Sequence, residues 1–319
     1  MIPGRKIAVI VNPHSAAGKT ASRWPRIQEQ IQQRLGTVAV RFTERPGHAT
    51  ELARELLAQE FDLIAGVGGD GTFNEIANGF VVQDQMVRPA ASMGILPAGT
   101  GGDFQRMFGF SSRNGLDDAI ETLSTGQPVA IDLGKVKYTD RQGSRRERYF
   151  VNLVSFGMGG AVAAGARNFL TPLGGKVAFL WSTFRVLLSY RGKAVEIRVD
   201  QGKAAAQLVT NVAIGNGRFH GGGMYPCPMA KMDDGILDVT VIQYMNMFRV
   251  LRDIRVLYSG EVYDHPKTRH LRGTQIEASA TSETLVEVDG EPLGMLPLEV
   301  TVLPRKLPVM MGRGGAALP

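Results

Sequence analysis

Asp70 lies inside Gly68-Gly69-Asp70-Gly71-Thr72, and Asp103 closes a second string, Pro97-Ala98-Gly99-Thr100-Gly101-Gly102-Asp103. Each string follows an apolar run, Phe61 to Val67 or Ala91 to Leu96. After the first comes a segment with apolar residues at Phe73, Ile76, Ala77 and Phe80, which predicts strand, tight turn and helix. Such a turn leaves backbone N–H groups uncovered at a helix start, and Gly68, Gly69 and Gly71 admit an anion without a Cβ in the way. Phosphate suits this place. Asp70 would repel it unless Mg²⁺ stands between them or the acid holds a neighbouring basic or hydroxyl group, so the chemistry suggested is nucleotide plus metal.

The elements that must position these turns follow in order. Ile7 to Val11 reads as a buried strand running into Asn12-Pro13-His14-Ser15-Ala16-Ala17-Gly18-Lys19-Thr20 and a helix to about Leu35. Gly18-Lys19-Thr20 mimics the end of a Walker loop but lacks its leading glycine; Asn12 can touch base or ribose and Lys19 a phosphate. Val38 to Phe42 is the next strand, Thr43 at its end is placed to meet a ligand, and His48, before the following helix, suits a capping or loop role. An alternating β/α pattern sets the two glycine turns side by side at the carboxyl edge of a parallel sheet.

Near Pro128 the pattern changes. Short strand-like segments follow at 129–134, 149–155, 195–199, 208–214, 236–242, 275–280, 284–288 and 298–302, predicting a β-rich second domain. The charged stretch Thr139 to Arg148 reads as a hairpin tip whose arginines are solvated or meet anionic lipid. Ala161–Phe169 and Lys176–Tyr190 read as helices, the second with an apolar surface broad enough to need the core or a greasy ligand over it.

The 319 residues are 44% hydrophobic, enough for two cored domains. The net charge of +6 and a pI near 9.5 suit an anionic partner, nucleotide or anionic membrane surface. Nucleic acid is disfavoured, because aromatics are not interleaved with the basic residues. One cysteine, Cys227, excludes an internal disulfide and a multi-cysteine zinc site, and reads as a small core or loop residue. No stretch reads as a signal peptide or a membrane span, so the expected location is cytoplasmic.

Taken together, Gly68-Gly69-Asp70-Gly71-Thr72, Leu96-Pro97-Ala98-Gly99-Thr100 with Asp103-Phe104, and Val288-Asp289-Gly290-Glu291 resemble the diacylglycerol kinase catalytic family, which includes bacterial lipid kinases and the sphingosine and ceramide kinases. Val11-Asn12-Pro13 and Thr43…Gly47-His48-Ala49 resemble the bacterial members. The resemblance implies an α/β N-terminal domain over 1–130, with a parallel sheet like that of NAD kinases and phosphofructokinases. It implies a C-terminal β-sandwich over 131–304 on the lipid side, a return of 305–312 to the first domain, and nucleotide in the cleft between. Asn12, Pro13, His14, Lys19, Thr43, Gly68 to Glu75 (Gly69, Asp70, Gly71, Thr72, Phe73 and Asn74 between them), Gly99 and Thr100 would contact ATP. Asp70, Asp103 and Asp132 match acids that help hold the catalytic Mg²⁺. The proton acceptor would be Asp289 or Glu291, and Lys231, Asp234 and Ile236 match a loop that binds a structural Mg²⁺.

The implied activity is transfer of the ATP γ-phosphoryl to a hydroxyl of diacylglycerol or a related membrane lipid, at the inner membrane face. A soluble-substrate kinase of the NAD kinase type and a non-catalytic nucleotide- or lipid-binding regulator are the alternatives; a homodimer stays open. The family usually has Asn where this chain has Gly102, which bears on how that turn meets acceptor or metal.

Overall fold

The computed structural model describes residues 5–99, 102–110, 115–168 and 190–312. Thr100 and most of the predicted helix Lys176–Tyr190 lie outside them. The chain divides into two compact units, Met1–Leu133 with Leu303–Pro319, and Gly134–Val302.

In the first unit, β1 (Ile7–Val11), β2 (Ala39–Phe42), β3 (Leu63–Gly68) and β6 (Ser92–Pro97) pair in parallel in the order β2-β1-β3-β6. β3 is buried along its whole length, as a strand covered on both faces must be. The crossovers are α1 (Lys19–Leu35), α2 (His48–Ala58) and α3 (Asp70–Phe80), the last followed by a two-residue hairpin of β4 (Val81–Val82) and β5 (Gln85–Met86). A short α4 (Asp103–Arg106) and α5 (Gly115–Thr125) come after β6. Trp24, Ile27 and Ile31 of α1 and Ile120 and Leu123 of α5 pack with Val9, Leu63, Val67 and Leu96 of the sheet. Their spacing is the apolar stripe that makes each helix amphipathic.

The second unit is built from antiparallel strands. β7 (Gln127–Thr139) leads into it and pairs with β8 (Arg145–Phe150); β9 (Leu153–Gly157) ends at α6 (Met158–Asn168). β10 (Lys193–Val199) pairs with both β11 (Ala205–Gly215) and β14 (Gln275–Ala280), while β12 (Leu237–Gln243) lies between β11 and β13 (Thr268–Gly273). β15 (Leu285–Val288) pairs with β9 and with β16 (Glu291–Met311). Two short helices, α7 (Met247–Asp253) and α8 (Val256–Ser259), join β12 to β13. Val136, Phe150, Phe156, Val212, Val239 and Ile276 lie at the heart of the core.

Sequence reasoning missed β13, whose Thr-Arg-His-Leu-Arg-Gly lacks an apolar alternation; charged side chains are what an edge strand carries. It also stopped β16 short. Pro304 and Pro308 interrupt the pattern without ending the strand, which runs on to pair Val309 with Met93 of β6 in the first unit.

Candidate functional site

The two glycine turns meet through backbone. The carbonyl of Gly68 accepts from the N–H groups of Ala98 and Gly99, both at 2.8 Å, and a Cβ added to Gly99 would lie 2.5 Å from the Cα of Gly69. Only glycine permits that approach. Asp70, at the start of α3, accepts from the N–H of Asp103 at 3.1 Å and of Phe104 at 3.0 Å. Its carboxylate caps the first turn of α4 and fixes the second glycine string against the first. Gly102 sits at φ +71°, the left-handed region that asparagine also visits, so loss of the amide leaves the backbone path intact.

A third loop joins them. Asn12, after β1, donates from Nδ2 to Thr72 Oγ1 at 3.0 Å and accepts from the N–H of His14 at 3.0 Å. Thr72 in turn fills the space over Gly68, where a Cβ would stand 2.4 Å from its Oγ1. The threonine of the Walker-like string is structural: buried Thr20 meets Ser15 Oγ at 2.6 Å and the carbonyl of Ala98 at 3.4 Å, while Lys19 is exposed. Pro13 is half-buried and His14 exposed. Buried Thr43 donates its N–H to Val11 O at 2.9 Å, at the neighbouring strand end.

Glu75 reaches to the start of α2, accepting from the N–H of Gly47 at 2.8 Å and of Ala49 at 3.1 Å. Its carboxylate occupies that helix N-terminus. His48 Nδ1 accepts from the N–H of Glu44 at 3.1 Å, the loop role expected of it. Phe73 and Asn74 are buried, with the Phe73 ring packed 6.3 Å from that of Phe104, so Phe73 offers a ligand backbone and no ring. Asn12, Gly68 to Thr72, Gly99 and Asp103 thus gather at the carboxyl ends of β1, β3 and β6, where parallel sheets place ligands. Buried Asp132 accepts from the N–H of Arg305 at 2.7 Å and pins the returning strand.

In the second unit the Asp289 carboxylate accepts three backbone N–H groups, from Val151 at 3.0 Å, Asn152 at 3.1 Å and Leu153 at 2.8 Å. Its own backbone is left-handed, φ +48°, with its N–H on Leu153 O at 2.8 Å. Glu291, one glycine on, pairs with Arg148 at 2.8 Å and is exposed to solvent on one side. Asp234 accepts from the N–H of Ile236 at 3.1 Å and pairs with Arg272 at 2.5 Å, so a cation seated on it would displace that guanidinium; Lys231 is exposed. Among the described residues no cluster of three or more His, Cys, Asp or Glu side chains is spaced to hold a metal.

Sequence reasoning missed a cavity of about 230 Å³ in this unit, walled by Met158, Val162, Met224, Ile242, Val250 and Leu257. Its polar end is a buried cluster. Glu287, with 3% of its side chain exposed, meets Ser155 Oγ at 2.5 Å and His220 Nε2 at 2.7 Å. Burial pushes this carboxyl up, but the charge and hydrogen bond of His220, with the Ser155 hydroxyl, outweigh burial and hold it below the usual carboxylate range. A Cβ on Gly159 would stand 2.4 Å from Ser155 Oγ, so the glycine at the start of α6 leaves room for the cluster. The one available signal was an acid in the otherwise apolar Leu285-Val286-Glu287-Val288; His220, far off in sequence, gave none. Among the described residues no helix is long and apolar enough to cross a membrane.

Residues 6–136 match the diacylglycerol kinase catalytic domain, and residues 152–311 match the YegS C-terminal NAD kinase beta sandwich-like domain. A diacylglycerol kinase of Bacillus subtilis (strain 168) is 28% identical over 311 residues, covering 96% of each chain. One from Staphylococcus haemolyticus (strain JCSC1435) is 29% identical over 314 residues, covering 96% of this chain and 88% of its own. A crystal structure of a candidate diacylglycerol kinase from Bacillus anthracis str. Sterne superposes with a TM-score of 0.75 at 25% identity, over 98% of this chain and 99% of that one.

Proposed function

Because the chain belongs to the diacylglycerol kinase catalytic family, with a YegS-type C-terminal β-sandwich, we propose that it phosphorylates a membrane lipid of the diacylglycerol class with ATP. The observation that carries the lipid reading is the cavity of the second unit, whose walls are mostly aliphatic and whose polar groups gather at Glu287, His220 and Ser155. A soluble dinucleotide would leave such walls unmatched; an acyl chain matches them.

The first unit supplies the nucleotide end. Backbone N–H groups around Gly69 to Gly71 donate to phosphate oxygens, and the stitching by Asp70, Asn12 and Thr72 keeps that cradle in one shape before the ligand arrives. Asp70 and Asp103, acids on adjoining turns, offer the oxygen ligands that Mg²⁺ requires, and Asp132 belongs to the same set by family likeness. Mg²⁺ there would neutralise the charge on the transferring phosphoryl group.

The lipid hydroxyl oxygen bonds to the γ-phosphorus as the bond to the β,γ-bridging oxygen breaks; ADP leaves and the hydroxyl proton goes to a carboxylate of Asp289-Gly290-Glu291. Asp289 shapes that turn through its three N–H contacts, and Glu291 is its solvent-facing acid.

The test is incubation with Mg²⁺, labelled ATP and a total lipid extract in mixed micelles, beside Asp70→Asn and Asp289→Asn. Label in the organic phase that needs both acids, with a product mass matching phosphatidic acid, is the expected result. Label transferred to NAD⁺ in preference to lipid would overturn it.

A further inference from the structure

The joint between β12 and β13 has two faces of opposite use. Val250, Ile254 and Leu257 line the apolar cavity from one side. On the other side Phe248 is 77% exposed, Leu251 47% and Tyr258 52%, and Arg252 and Arg255 are exposed among them. Tyr258 belongs to both sets: it lines the cavity and faces solvent, so the cavity wall reaches the surface there.

The exposed side chains follow helical spacing, at 248, 251, 255 and 258. Asn246 sets the start of α7, its side chain accepting from the N–H of Arg249 at 3.0 Å, and so fixes which face turns outward. Leaving a phenylalanine three-quarters in water beside a leucine and a tyrosine has a cost unless something apolar covers them. The charged residues nearby are Arg249, Arg252 and Arg255 and the acids Asp253, Glu261 and Asp264. Asp253 turns inward, taken by Arg252 at 2.7 Å, Arg249 at 3.6 Å and His265 at 3.2 Å, and exposed Glu261 holds the Ser259 hydroxyl at 3.0 Å. Arg255 remains at the rim of the apolar patch, beside the exposed Arg252 that pairs with Asp253. Aromatic and aliphatic side chains ringed by arginine suit the boundary between acyl chains and anionic headgroups.

We propose that α7 and α8 are a membrane-docking element that seats the cavity mouth on an anionic phospholipid bilayer, with Phe248, Leu251 and Tyr258 entering the acyl boundary and Arg255 meeting headgroup phosphate. The lipid-kinase reading enters only in what passes into the cavity; docking is read without turnover.

The experiment sediments the full-length protein, without ATP, on vesicles of phosphatidylcholine alone and of phosphatidylcholine with phosphatidylglycerol. Phe248→Ser with Leu251→Ser should lower the partition coefficient by about a hundredfold, roughly tenfold for each apolar side chain withdrawn from the bilayer. Arg255→Gln should lower binding to the anionic vesicles about fivefold and leave the weaker binding to neutral ones unchanged. Arg252 is kept, because its pair with Asp253 is part of the cavity wall. These positions are exposed, so melting at the parental temperature certifies the fold. Sedimentation of the double variant like the parent overturns the proposal. So does light scattering that finds a parental dimer and a monomeric double variant, which would make the patch a protein interface. Loss of vesicle binding in a protein that phosphorylates no lipid, a short-chain soluble diacylglycerol included, upholds docking and removes the kinase reading.

Discussion

Replacing Asp289 with asparagine separates the structural duty of this acid from any chemical one. Its two carboxylate oxygens receive three backbone N–H groups, Val151 on one and Asn152 and Leu153 on the other. Asparagine has one acceptor oxygen. The best placement keeps the Asn152 and Leu153 contacts, weakened because the acceptor is now neutral, and turns an NH₂ against the Val151 N–H. A hydrogen bond to a charged group contributes about 1.5–3 kcal/mol and one to a neutral group about 1 kcal/mol, so losing one and weakening two costs about 3–5 kcal/mol. For a unit of this size that lowers its melting temperature by roughly 10 °C. Glu291→Gln breaks only the pair with Arg148 and should cost at most about 1 kcal/mol. Calorimetry on parent and both variants reads the difference, and kinase assays well below the lower transition then read chemistry alone. If Asp289→Asn melts with the parent, the three N–H contacts do not stabilise the 151–153 backbone and the reasoning fails. Given the folded variants, the one that phosphorylates no lipid identifies the proton acceptor.

Three further outcomes follow from the geometry. Gly99→Ala, whose Cβ must lie 2.5 Å from the Gly69 Cα, should part the two glycine turns and weaken binding of an ATP analogue at least about tenfold, measured by calorimetric titration; parental affinity would show that their contact is dispensable. Cys227 is fully buried, and burial pushes its thiol up to about 12, with its bond to Thr240 opposing; a thiol reagent at pH 8 should therefore modify it only after denaturant is added. Glu287 is held low in the fold, so its contribution to stability is complete above the unfolded carboxyl pKa, near 4.3, and is lost as pH falls through the folded value. Acid unfolding should thus begin at higher pH in Glu287→Gln with its His220 partner left behind, and coincidence of the two acid transitions would refute the ion pair's role.

The α/β pattern of the first unit was legible because each strand is a continuous apolar run and each helix keeps an apolar stripe, so period alone distinguishes them. The glycine turns were legible for the same local reason. What Asp70 and Glu75 do was not, since each carboxylate serves a loop some thirty residues away, joined to it only once the sheet has formed. Glu287 and His220 belong to this class too, and β13 shows its other form: an edge strand whose ordering comes from its neighbour β12 rather than from its own side chains.

The last feature is temporal. The first unit contains residues on both sides of the second, and its sheet takes Val309 beside Met93, with Met310 in its core. On a ribosome that strand emerges after every residue of the second unit. The usual vectorial order, in which the amino-terminal domain finishes before the next begins, is therefore unavailable to this chain. The glycine turns are made early in translation, but the sheet that carries them closes last, so a chain cut after Val302 would hold every residue of the second unit and leave β6 of the first without its Val309 partner.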